Sequence, residues 1–141
     1  MQSIGGAGGI DANLSPGAFH RWATHYRKCR KSFRCPDKFS PVPYFLLCRA
    51  IELEIKARHL RHMTQLEVKT KFGHDLAKAY EASDPAEKTL NQSEEHTLRV
   101  ASEIYNSKDF EYFDPQDALT GYSRFPDLTL LDSIASKLIR I

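Results

Sequence analysis

The stretch from Tyr44 to His62 limits what this chain can fold into more tightly than any other part of it. Placed on a helix, with about 100° between successive residues, Tyr44, Leu47, Cys48, Ile51 and Ile55 form one apolar stripe. Leu46, Ala50, Leu53, Ala57 and Leu60 form a second stripe on a different side. A helix that is apolar on two sides needs neighbours on both, so the pattern predicts the central helix of an all-α bundle. A narrow polar ridge of Arg49, Glu52, Lys56 and His59 runs between the stripes, with Glu52 and Lys56 at i, i+4 in the favourable orientation. A second ridge, Glu54, Arg58 and Arg61, is expected to face solvent.

The flanking segments also read as helices. Ser15-Pro16 is a cap followed by proline at the first helical position. Phe19, Trp22, Ala23, Tyr26 and Phe33 then define an inner face, opposite Arg21, Lys28, Arg30, Lys31 and Arg34. Thr64 with Glu67 predicts a capping box, Met63 with Val68 a hydrophobic staple, and Gly73 the stop of a short helix. A helix opening at His74-Asp75 buries Leu76, Ala79 and Tyr80 and ends before Asp84-Pro85. Asn91 and Glu94 start another, with Leu98, Ala101, Ile104 and Tyr105 inward. Residues 106–126 mix Phe110, Tyr112, Phe113, Tyr122 and Phe125 with Asp, Pro and Gly, and predict an aromatic-rich extended segment with room for a short strand. Asp127 caps a last helix carrying Leu131, Ile134, Leu138 and Ile141.

With 141 residues the chain suits one domain, expected over 15–141 behind a flexible lead over 1–14. The lead lacks the basic start and apolar run of a signal peptide, and no stretch is long enough to span a bilayer. Three cysteines, Cys29, Cys35 and Cys48, make an odd count that argues for a reducing compartment, and the cytoplasm is the expected location. The net charge of +2 is unevenly distributed: residues 1–74 hold 13 Lys/Arg against 5 Asp/Glu, residues 75–141 hold 7 against 13. Such polarity suits a nucleic acid on one side, a head-to-tail pairing of subunits, or two halves neutralising each other within one fold.

Two pieces taken together, Ala50-Ile51-Glu52-Leu53-Glu54-Ile55-Lys56-Ala57 and then Gly73-His74-Asp75-Leu76, resemble the HEPN family of helical nucleotide-binding domains. The similarity covers roughly residues 42–83. It implies a four- or five-helix up-and-down bundle that forms a homodimer and works as a nucleotidyltransferase partner, a toxin answered by an antitoxin protein, or an RNA-processing module. RNase members of the family carry an arginine followed by a histidine five to seven positions on. No arginine here has one, so the resemblance implies a non-catalytic binding module for a nucleotide, RNA or partner protein. The alternatives are a divergent metal-independent RNase using His74 with Lys56 or Lys69, and a purely structural partner subunit. Lys69 stands five positions before His74 but is expected in a different part of the bundle.

The candidate binding residues are therefore Arg49, Glu52, Lys56, His74 and Asp75, with His74 the one catalytic candidate. Glu52 and Lys56 lie between apolar stripes, where a charge persists only if paired; they read first as a structural ion pair and, as the alternative, as a polar pocket for a nucleotide or partner side chain. His74 and Asp75 open a helix, whose free N–H groups suit phosphate, while an imidazole near neutrality suits acid–base chemistry. The same two residues suit capping and a tie to Glu52 or Lys56. Arg27, Lys28, Arg30, Lys31 and Arg34 form a basic patch that suits either RNA phosphates or water. His59-x-x-His62 has helical metal spacing without further ligands, and no nucleophile elbow, phosphate-cradling glycine loop or triad is present, so no metal and no cofactor are expected.

Overall fold

A computed structural model describes residues 15–140; the lead over 1–14 and Ile141 lie outside the described residues. Seven α-helices and no strand occur among them: α1 (Pro16–Ser32), α2 (Val42–His59), α3 (Gln65–Phe72), α4 (Leu76–Glu81), α5 (Gln92–Asn106), α6 (Pro115–Leu119) and α7 (Leu128–Leu138). The chain is all-α. None of these helices is long and apolar enough to cross a membrane.

The double stripe has the expected consequence. Eleven of the eighteen residues of α2 are buried, and α1, α4, α5 and α7 all pack against it. Ile51 and Ile55 have no exposed surface, and each contributes about 1.5–3 kcal/mol through burial. The helix ends at His59 rather than His62, because the backbone must leave the helical region to set Thr64 in its extended capping conformation.

The start and stop signals act locally, as side-chain chemistry predicts. Ser15 accepts from the Ala18 N–H, Asp75 from Lys78 and Asp127 from Leu130. Thr64/Glu67 and Asn91/Glu94 each form reciprocal capping boxes. Gly73, at φ +53°, ends α3 in backbone that favours glycine.

Three expectations change. Trp22 is 54% exposed, because the buried face of α1 centres on Phe19, Ala23, Tyr26 and Arg30, which leaves Trp22 at its rim and Phe33 beyond the helix end. Residues 106–126 are not extended and hold no strand: they run through turns and α6. Phe110, Tyr122 and Phe125 close around Tyr44 and Phe39, while Tyr112 and Phe113 are exposed. The Glu54–Arg58–Arg61 ridge is solvated only at Arg61. Glu54 is 8% exposed and accepts a 2.6 Å hydrogen bond from His20 Nδ1, and Arg58 Nη2 donates to the Leu138 carbonyl at 2.6 Å. With Arg27 Nη1 donating to the Ile139 carbonyl at 3.0 Å, two guanidiniums thus serve the carbonyls that α7 leaves unpaired at its C-terminus.

Candidate anion-binding groove

The polar ridge of α2 converges on Glu52, only 2% exposed. Its Oε1 accepts from Arg49 Nη1 at 3.0 Å and from the Tyr105 hydroxyl at 2.5 Å. Its Oε2 accepts from Lys56 Nζ at 2.7 Å and from His74 Nδ1 at 2.7 Å. Arg49 and Lys56 come from the same helix, one turn to either side. Tyr105 is delivered by α5, and His74 by the chain reversal at Gly73.

Burial pushes the Glu52 carboxyl up, but the Lys56 charge and the hydrogen bonds from Lys56, Tyr105 and His74 outweigh it and hold the group below the ordinary carboxylate range. The carboxylate is ionised and can only accept, so the His74 Nδ1 that faces it carries a proton and donates. Burial and the neighbouring Glu52 charge push the Tyr105 hydroxyl up, which keeps it a donor. Cys48, beneath, is raised by burial and then by Glu52, so it stays an unreactive thiol.

This network forms one wall of a groove of about 490 Å³ between α2 and the α3–Gly73–His74 segment. Phe19, Leu53, Leu60 and Val68 supply apolar lining; Arg49, Lys56, Lys69 and His74 supply polar groups, three of them cations. The His74 side chain is 49% exposed, Arg49 34% and Lys56 14%, so the donors remain reachable above a carboxylate that is not. Three permanent cations face one carboxylate, an excess of positive charge that favours an anion.

Four of the five expected binding residues meet here. Asp75 does not. Its extended backbone turns it to the opposite side from His74, where Oδ1 accepts from the Lys78 N–H at 3.0 Å and from Ser102 Oγ at 3.1 Å. It caps α4 and fastens it to α5. Lys69, expected in another part of the bundle, lines the same groove as His74. His59, at the end of the ridge, is taken up by the Ala79 carbonyl at 2.8 Å and the Phe72 ring.

The basic patch divides. Arg27 and Arg30 turn inward, to the Ile139 carbonyl and to Asp132, while Lys28, Lys31 and Arg34 are exposed. Tyr105 is the member of the site that the sequence pattern concealed. It sits in an apolar stripe, and the one available signal was that a buried phenol seeks an acceptor.

No known protein family, no curated protein and no solved structure matches this chain.

Proposed function

We propose that this chain is a HEPN-like binding module whose groove holds a phosphate-bearing ligand, a nucleotide or a short stretch of RNA, without cleaving it. The observation that carries the reading is the convergence of Arg49, Lys56, Lys69 and His74 on one groove above the buried, fully hydrogen-bonded Glu52. Glu52 accepts four donors and so fixes the directions of three of the groove's polar side chains. Pre-positioned donors lose little freedom on meeting a phosphate. The apolar lining of Phe19, Leu53, Leu60 and Val68 suits the uncharged body of such a ligand, a base or a sugar face.

One observation favours the RNase reading: His74 is oriented through Nδ1 by a carboxylate, which leaves Nε2 available as a base. A fluorogenic RNA incubated with the protein and EDTA separates the two. Retention of the labelled RNA without cleavage is the expected result, and metal-independent turnover lost in His74→Ala would replace it. Calorimetric titration with mononucleotides and oligoribonucleotides tests the groove itself. Lys69→Gln, at an exposed position, is expected to weaken binding about tenfold while the melt is unchanged. The resemblance further implies a homodimer burying about 1,200 Å² or more, and light scattering that reports a monomer at every concentration removes that part.

A further inference from the structure

A second cationic feature lies on the other flank of α1 and shares no residue with the groove. Helices α1 and α7 both pack on α2 rather than broadly on each other. The gap between them is a cleft of about 500 Å³. From α1 it is lined by Arg27, Arg30 and Lys31, and from α7 by Asp132 and a stripe of hydroxyls, Thr129, Ser133 and Ser136.

The donors in this cleft exceed the acceptors. Arg27 is engaged by a neutral carbonyl, which leaves its charge uncompensated. Arg30 Nη2 donates to Asp132 Oδ2 at 2.9 Å, while Arg30 Nε, shielded from solvent, has no acceptor. A guanidinium binds oxyanions through two parallel N–H groups, and here one carboxylate oxygen occupies a single nitrogen. Lys31 is exposed, and the hydroxyls of Thr129, Ser133 and Ser136 have no partner among the described residues. Three cations face one carboxylate, and the hydroxyls can follow an oxyanion without adding charge.

We propose that the cleft between α1 and α7 is a binding site for a phosphate group, held by Arg30 and Lys31 from one helix and by Ser133 and its neighbouring hydroxyls from the other. This goes beyond the expected basic patch on α1: the charges come from one helix and the neutral donors from another, so binding depends on the two standing side by side. Asp132 is the built-in competitor, because it shares Arg30 with the incoming anion. That gives the site a signature that diffuse positive charge lacks: removing one acid should strengthen it, and removing one neutral hydroxyl should weaken it.

The probe is inorganic phosphate, titrated into the full chain and followed by ³¹P line broadening at constant ionic strength. Saturable binding is expected. Arg30→Gln should weaken it about tenfold or more, Ser133→Ala severalfold, and Asp132→Asn should tighten it. Lys31→Gln, at an exposed position, gives the same direction as Arg30→Gln if the latter does not fold. A loss with Lys69→Gln and none with Lys31→Gln or Ser133→Ala would assign the phosphate to the groove and overturn the cleft. Absence of saturable binding, or weakening in Asp132→Asn, overturns it as well. A short oligouridylate then distinguishes the sources: displacement of phosphate that strengthens with oligomer length marks a nucleic-acid backbone, and no displacement marks a free anion. Failure of the groove to bind nucleotides leaves this result untouched, since Lys69 and His74 take no part in it.

Discussion

The two polar ridges of α2 begin from the same local pattern and end differently. Glu52 is followed at i+4 by Lys56, and Glu54 by Arg58. Each carboxylate is buried, and each is met by the Nδ1 of a histidine from elsewhere in the chain, His74 for Glu52 and His20 for Glu54. On the Glu54 ridge α1 and the end of α7 lie close, and Arg58 is spent on the Leu138 carbonyl and on Glu87. On the Glu52 ridge the neighbouring segment is the short reversal after α3, which leaves the groove open. The same acid–base spacing therefore makes a seam in one place and the wall of an open groove in the other. What stands across from the helix decides which.

The contrast can be broken at several levels. Both ridges presuppose that α2 is the core, so Ile51→Asp comes first. An unpaired charge at a position with no exposed surface is expected to cost more than about 5 kcal/mol and to unfold the chain. A cooperative melt of a soluble variant, measured by circular dichroism, would remove α2 from the centre.

Next is the difference between the two carboxylates. Glu52→Ala strands Lys56, Arg49 and the Tyr105 hydroxyl around a buried vacancy and should cost about 3 kcal/mol. Glu54→Ala should cost about 1 kcal/mol, since His20 is 43% exposed and Arg58 keeps its other acceptors. Urea titrations giving equal losses would show the ridges to be equivalent.

The acid limb sharpens the point. Glu52 has a lowered carboxyl in the fold, so its contribution is complete above the ordinary value near 4.5 and is lost as pH falls through the folded value. Stability measured from pH 6 downward should fall less steeply below about 4.5 in Glu52→Gln than in the parent chain. An identical slope would mean that the carboxylate is not stabilised by its four donors.

The smallest expected effect on stability is that of His74→Ala. The ring is half exposed and Glu52 keeps three other donors, so the loss should be about 1 kcal/mol or less, while binding in the groove falls. A large drop in melting temperature would make the Glu52 ridge a structural seam like its neighbour.

Much of the architecture was readable from the chain. The caps at Ser15, Thr64, Asn91 and Asp127 are local events, decided by a side chain and a backbone N–H three residues away. The burial of α2 was equally readable, because apolar residues on two sides of one helix have no other stable arrangement in water. The boundary of α1's inner face was harder to place. Trp22 and Arg30 exchange their expected environments across less than a quarter turn of helix, and hydrophobicity alone favours the tryptophan.

At the site, the sequence by itself determined that Glu52 and Lys56 share a ridge, and that the chain turns at Gly73 just before His74. The partners that complete the network were decided only in three dimensions. Tyr105 stands 53 residues from Glu52, and Ser102 stands 27 from Asp75. His74 and Asp75, adjacent in sequence, part company because extended backbone sends consecutive side chains to opposite sides. The same holds for the cleft between α1 and α7, where Arg30 and Asp132 meet across 102 residues. A helix's own periodicity says which of its faces is polar. Whether that face ends as a closed seam, a groove or a cleft depends on the packing of other helices. Such packing is a contest of shape and burial among elements far apart in the chain, and no local pattern records its outcome.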